Sequence, residues 1–85
     1  MERKIKVGTK YKHFKGHSYI VIAIAYDSEN YNEDNADLSR MIVYQDLNNE
    51  HKIWVRPYDM FNSFVDKEKY PDVSQKYRFE EIRED

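Results

Sequence analysis

The sequence predicts a mainly β fold, a small SH3-like five-stranded barrel with one short helical turn before the last strand. Three observations predict it. Apolar residues alternate with a period of two in short runs along most of the chain. Glycine, asparagine or acidic stretches suited to turns separate those runs. Near Pro57 the period changes, and Met60, Phe61, Phe64 and Val65 recur as on one side of a helix. At 85 residues the chain is expected to form one domain. An open five-stranded sheet with one helix is the alternative architecture.

Each element has its own reason. Tyr11 to Phe14 reads as a first strand, stopped by Lys15-Gly16-His17, where glycine supplies positive φ. Ser18 to Tyr26 follows, with Tyr19, Val21, Ala23 and Ala25 on one face and Ile20, Ile22, Ile24 and Tyr26 on the other. Both faces are apolar, which predicts the central strand. Asp27 to Ser39 is rich in Asp, Asn, Glu and Ser and reads as a long mobile loop. Arg40 to Asp46 alternates again as a third strand, Leu47-Asn48-Asn49-Glu50 makes a turn, and His51 to Arg56 returns as a fourth. On that strand Ile53 and Val55 are expected to face inward, and Lys52, Trp54 and Arg56 outward. Pro57 suits the first position of a helix and cannot donate to a ladder, so the sheet should stop there. Asp66 to Lys76 is polar and contains Tyr70-Pro71, a connection, and Tyr77 to Ile82 closes the chain as a fifth strand. The resulting division is a basic N-terminal arm over 1–10, a single SH3-like barrel over 11–82 and an acidic tail over 83–85.

Composition excludes several classes. Aromatic residues make up 15% of the chain, too many for a disordered segment. Without cysteine there is no disulfide framework, thiolate nucleophile or thiolate metal site. No apolar stretch approaches the ~20 residues that span a bilayer, and the N-terminal residues lead into no secretory apolar core, so a cytoplasmic protein without membrane contact is expected. The net charge of −2 makes the whole molecule no attractor for polyanions. Charge is nevertheless segregated, with Arg3, Lys4, Lys6, Lys10, Lys12 and Lys15 near the start and Asp27, Glu29, Glu33, Asp34 and Asp37 in the loop.

Several strings of residues resemble a known family. Tyr11-Lys12-His13-Phe14-Lys15-Gly16, Tyr19 and Val21, Asp27-Ser28-Glu29, Val43-Tyr44-Gln45, and Trp54-Val55-Arg56-Pro57 with Met60-Phe61 resemble a small bacterial domain family catalogued as domain of unknown function 1653. Arg78-Phe79 is similar to its closing element. The departures are Asp27, where that family usually has His, and a longer acidic connection between Glu29 and Arg40. The resemblance implies a small stand-alone bacterial domain and carries no established activity with it.

The candidate site is drawn from a polar constellation of His13, Lys15, Ser28, Glu29, Tyr44, Gln45, Trp54 and Arg56. Of these, His13, Lys15, Tyr44, Trp54 and Arg56 are expected to bind a ligand. Trp54 offers a face for stacking or for a cation, and the Arg56 guanidinium is a fork for carboxylate or phosphate. The competing reading is local: His13 and Tyr44 bond neighbouring backbone, and Arg56 pairs with Glu29 or Asp59. No spacing supports a serine nucleophile with its base, a phosphate-cradling glycine loop or a metal site, since His13 and His17 flank a strand turn. Neither a catalytic residue, a cofactor nor a metal is therefore expected, and the chain reads as a non-catalytic binding or adaptor module for a protein or peptide. The alternatives are single-stranded nucleic acid, held by the basic segment and exposed aromatics, and a small enzyme of unknown reaction.

Overall fold

The computed structural model describes residues 3–48 and 50–83. The first residues of the basic arm, Asn49 of the expected turn and the last two residues of the acidic tail lie outside the described residues. Five strands form: β1 (Lys10–His13), β2 (Ser18–Tyr26), β3 (Arg40–Asp46), β4 (Ile53–Pro57) and β5 (Phe79–Glu81). Among the described residues one short α-helix, α1 (Tyr58–Phe61), precedes the last strand. All pairings are antiparallel, in the order β4-β3-β2-β1-β5, which makes β2 central as its two apolar faces predict. The sheet does not close into a barrel, because β4 and β5 are its edges and do not pair. Their side chains meet instead across the concave face, where the Arg56 guanidinium carbon lies 5.5 Å from the Phe79 ring centroid.

The concave face carries an aromatic core. Phe61 and Phe79 stack at 4.0 Å, and Tyr44 meets both rings edge-on at 5.2 and 5.5 Å. Tyr11 meets Phe61 at 5.3 Å, and Tyr19 meets Tyr44 at 5.1 Å. Val21, Ile42, Tyr58 and Ile5 fill the remaining volume. Of the expected helical stripe only Phe61 and Val65 are buried, while Met60 and Phe64 are about half exposed or more. The helix lasts only to Phe61, so Phe64 leaves it and stacks on Tyr77 at 4.9 Å. Pro57 is the last residue of β4 and the helix N-cap, one position before its expected place.

In the basic arm Ile5 is buried with its N–H donating to Tyr58 Oη at 2.9 Å, and Arg3 donates from Nε to Asn62 Oδ1 at 2.5 Å. Three further expectations are corrected. The acidic loop holds a 3₁₀ helix over Glu33–Ser39, because Asn32 caps the Asp34 N–H at 2.9 Å and Ser39 Oγ bonds the Ala36 carbonyl at 2.7 Å. In β2 a register shift between Val21 and Ala23 breaks the alternation, so Ile24 shares a face with buried Ile42 while Ala23 pairs with Val43 on the opposite one. The last correction concerns β4. Trp54 pairs with buried Tyr44 and Arg56 with buried Ile42, which puts both on the concave face. Ile53 and Val55, each 60% exposed, lie on the outer face.

Candidate functional site

The site begins at the Lys15-Gly16-His17 turn. Gly16 has φ +107°, a conformation that a side chain would strain, and its N–H donates to the His13 carbonyl at 2.8 Å. The turn sends β2 back along β1 and places Tyr19 beside Tyr11 in register. His17 joins this turn to the next one, since its Nδ1 lies 2.7 Å from Asn48 Nδ2, and the Leu47 N–H donates to the Ser18 carbonyl at 3.0 Å. The β1 end and the β3-β4 end of the sheet are thereby held at one place.

An open cavity of about 280 Å³ lies there, and all five expected residues line it: His13, Lys15, Tyr44, Trp54 and Arg56. Tyr19, His17 and Phe79 complete the wall. Sequence reasoning missed these three as site members. The signal for Tyr19 was available, because it shares a strand face with Val21. Phe79 enters only through the pairing of β5 with β1, which sets it opposite His13. Ser28 and Glu29 are at the far end of β2, where the Glu29 N–H donates to Asp27 Oδ1 at 3.1 Å. Gln45 is on the outer face, paired with Ile53, and donates to the His51 carbonyl at 3.0 Å.

Chemistry inside the cavity is set by three groups. Arg56 donates from Nε to Tyr44 Oη at 3.2 Å and, among the described residues, forms no ion pair with Glu29 or Asp59. Among the described residues its terminal guanidinium nitrogens make no hydrogen bond, which leaves donors for an anion beside the Phe79 ring. Trp54, 45% exposed at the edge of the core face, is neither sealed nor free. That exposure leaves part of the indole open to stacking. His13 stacks on Phe14 at 4.5 Å and meets Phe79 edge-on at 4.9 Å, and its Nδ1 accepts from the Lys15 N–H at 3.1 Å. Burial, followed by the charges of Arg56, Lys15, Arg78 and His17, pushes its pKa from the usual 6.5 down to about 4. The ring is neutral at physiological pH, and the charge of the cavity comes from Arg56 and Lys15.

Among the described residues no three His, Asp or Glu side chains gather as metal ligands, and no helix is long and apolar enough to cross a membrane. Comparisons place the chain within a family and go no further. No curated protein matches it, and no solved structure does. The family model described as "Protein of unknown function (DUF1653)" matches residues 9–81, which takes in every strand and both ends of the cavity, and the chain therefore belongs to that family.

Proposed function

We propose that the cavity walled by His13, Lys15, Tyr44, Trp54 and Arg56 recognises a peptide segment of a protein partner, and that the chain is a cytoplasmic binding module. One observation carries this reading: an arginine with no ion pair among the described residues and a half-exposed tryptophan stand on the same face of an edge strand. The outer backbone groups of β4 have no neighbouring strand, so an extended peptide can add alongside it and present alternate side chains to the concave face. A carboxylate on that peptide meets Arg56, and an apolar or cationic side chain meets Trp54. Tryptophan and arginine are also the residue types that most often dominate recognition surfaces.

The nucleic-acid reading needs exposed aromatic faces on the basic segment, and Tyr11, the tyrosine of that segment, is buried in the core. Selection of a random peptide library on the wild-type protein tests the proposal. The selected peptides should carry an acidic group beside an apolar or cationic residue, and Trp54→Ala or Arg56→Ala should weaken them by about tenfold or more while the fold is kept. Selected peptides that bind both variants as well as wild type would remove this surface from consideration.

A further inference from the structure

A second cavity, of about 300 Å³, adjoins the first and shares His13, Lys15 and Arg56 with it. Its other wall adds Lys69, Arg78, and the rings of Phe14 and Tyr70, which meet at 4.9 Å. Four cations thus face one space. Among the described residues none of them forms an ion pair, and Arg78 Nε is buried without a hydrogen-bond partner. The one acid in the wall, Asp66, is engaged by its own turn, where its Oδ1 accepts the Glu68 and Lys69 N–H groups at 3.0 and 3.3 Å. His13 lines the same space as Arg56, Lys15 and Arg78.

We propose that this second cavity holds a phosphoryl group carried on a side chain of the peptide partner. A carboxylate brings one negative charge and leaves most of the cationic wall unmatched. A phosphoryl group brings about −1.5 to −2 and three strong acceptor oxygens, which suit several donors converging from different elements. The positive charge is local, on a chain of net charge −2 with Glu33, Asp34 and Asp37 on its surface, so a single phosphoryl group fits where a continuous nucleic-acid backbone is repelled. The free edge of β4 beside the cavity favours a peptide as the carrier over a small phosphate compound. This inference rests on the peptide reading above, and it adds a class of partner that is switched by modification.

Trp54 lines the first cavity and not the second, so occupancy is read by titration calorimetry and by the amide shifts of Lys69 and Arg78. The probes are terminally blocked phosphotyrosine and phosphoserine, their unphosphorylated counterparts, inorganic phosphate, and a nucleoside monophosphate. At least one phosphoamino acid should bind saturably, about tenfold or more tighter than its unphosphorylated form and than inorganic phosphate. Lys69→Ala, at an exposed position, and Arg78→Gln should each abolish most of that gain and leave the unphosphorylated amino acids unchanged. Equal binding with and without the phosphoryl group would overturn the inference, as would tighter binding of inorganic phosphate or of the nucleoside monophosphate. Library peptides that depend on Trp54 and Arg56 yet gain nothing from phosphorylation would overturn it while leaving the peptide reading intact.

Discussion

His13 joins stability to the site at the scale of one residue. Folding lowers its pKa from 6.5 to about 4, so between those values the unfolded chain binds more protons than the folded one. The histidine contribution to stability is therefore complete above pH 6.5 and is lost as pH falls toward 4. Urea midpoints should fall between pH 7 and 5, and His13→Gln should flatten that fall; a His13 ring titrating at its ordinary value in the folded protein would contradict this. The identity of the site residues was legible because Trp, Arg and His are few and chemically distinct in this chain. The direction of Trp54 and Arg56 was not. Ile53 and Val55 look inward by hydropathy, but burial on an edge strand is decided by register, and Trp54 opposite Tyr44 fixes which face meets the core.

Among the elements, the strands were the most legible and the connections the least. The bounds read for β2 and β3 are those observed, since two long alternating runs flanked by turn residues leave little freedom. The β2 bulge was hidden, because a run apolar on both faces has no polar marker to reveal a skipped residue. The stripe after Pro57 was read as one side of a helix, whereas the single helical turn buries Phe61 and exposes Met60. This separates two substitutions. Phe61→Ala should cost roughly 3–5 kcal/mol, because it removes a ring packed against Tyr11, Tyr44 and Phe79. Met60→Ala should stay within about 1 kcal/mol. Denaturant unfolding of the two variants checks the contrast, and equal losses would mean that the helix faces the sheet differently.

Over the whole molecule, an open and strongly curved sheet gives two things that a closed barrel would not. One is a free strand edge at β4, and the other is a cleft where the side chains of the two outermost strands approach, Arg56 from one and Phe79 from the other. Convergence of the five expected residues was not legible, since His13 and Trp54 are far apart in sequence and meet only through the curvature of β1, β2 and β3 between them. Amide chemical-shift mapping of the 85-residue chain with a library-selected peptide measures the outcome most directly. The account predicts that shifts concentrate at 13–15, at Tyr19 and Tyr44, and along 53–56, with slowed hydrogen exchange on the β4 edge. Shifts gathered instead on β5 and the Glu33–Ser39 turns, with 53–56 unmoved, would contradict it.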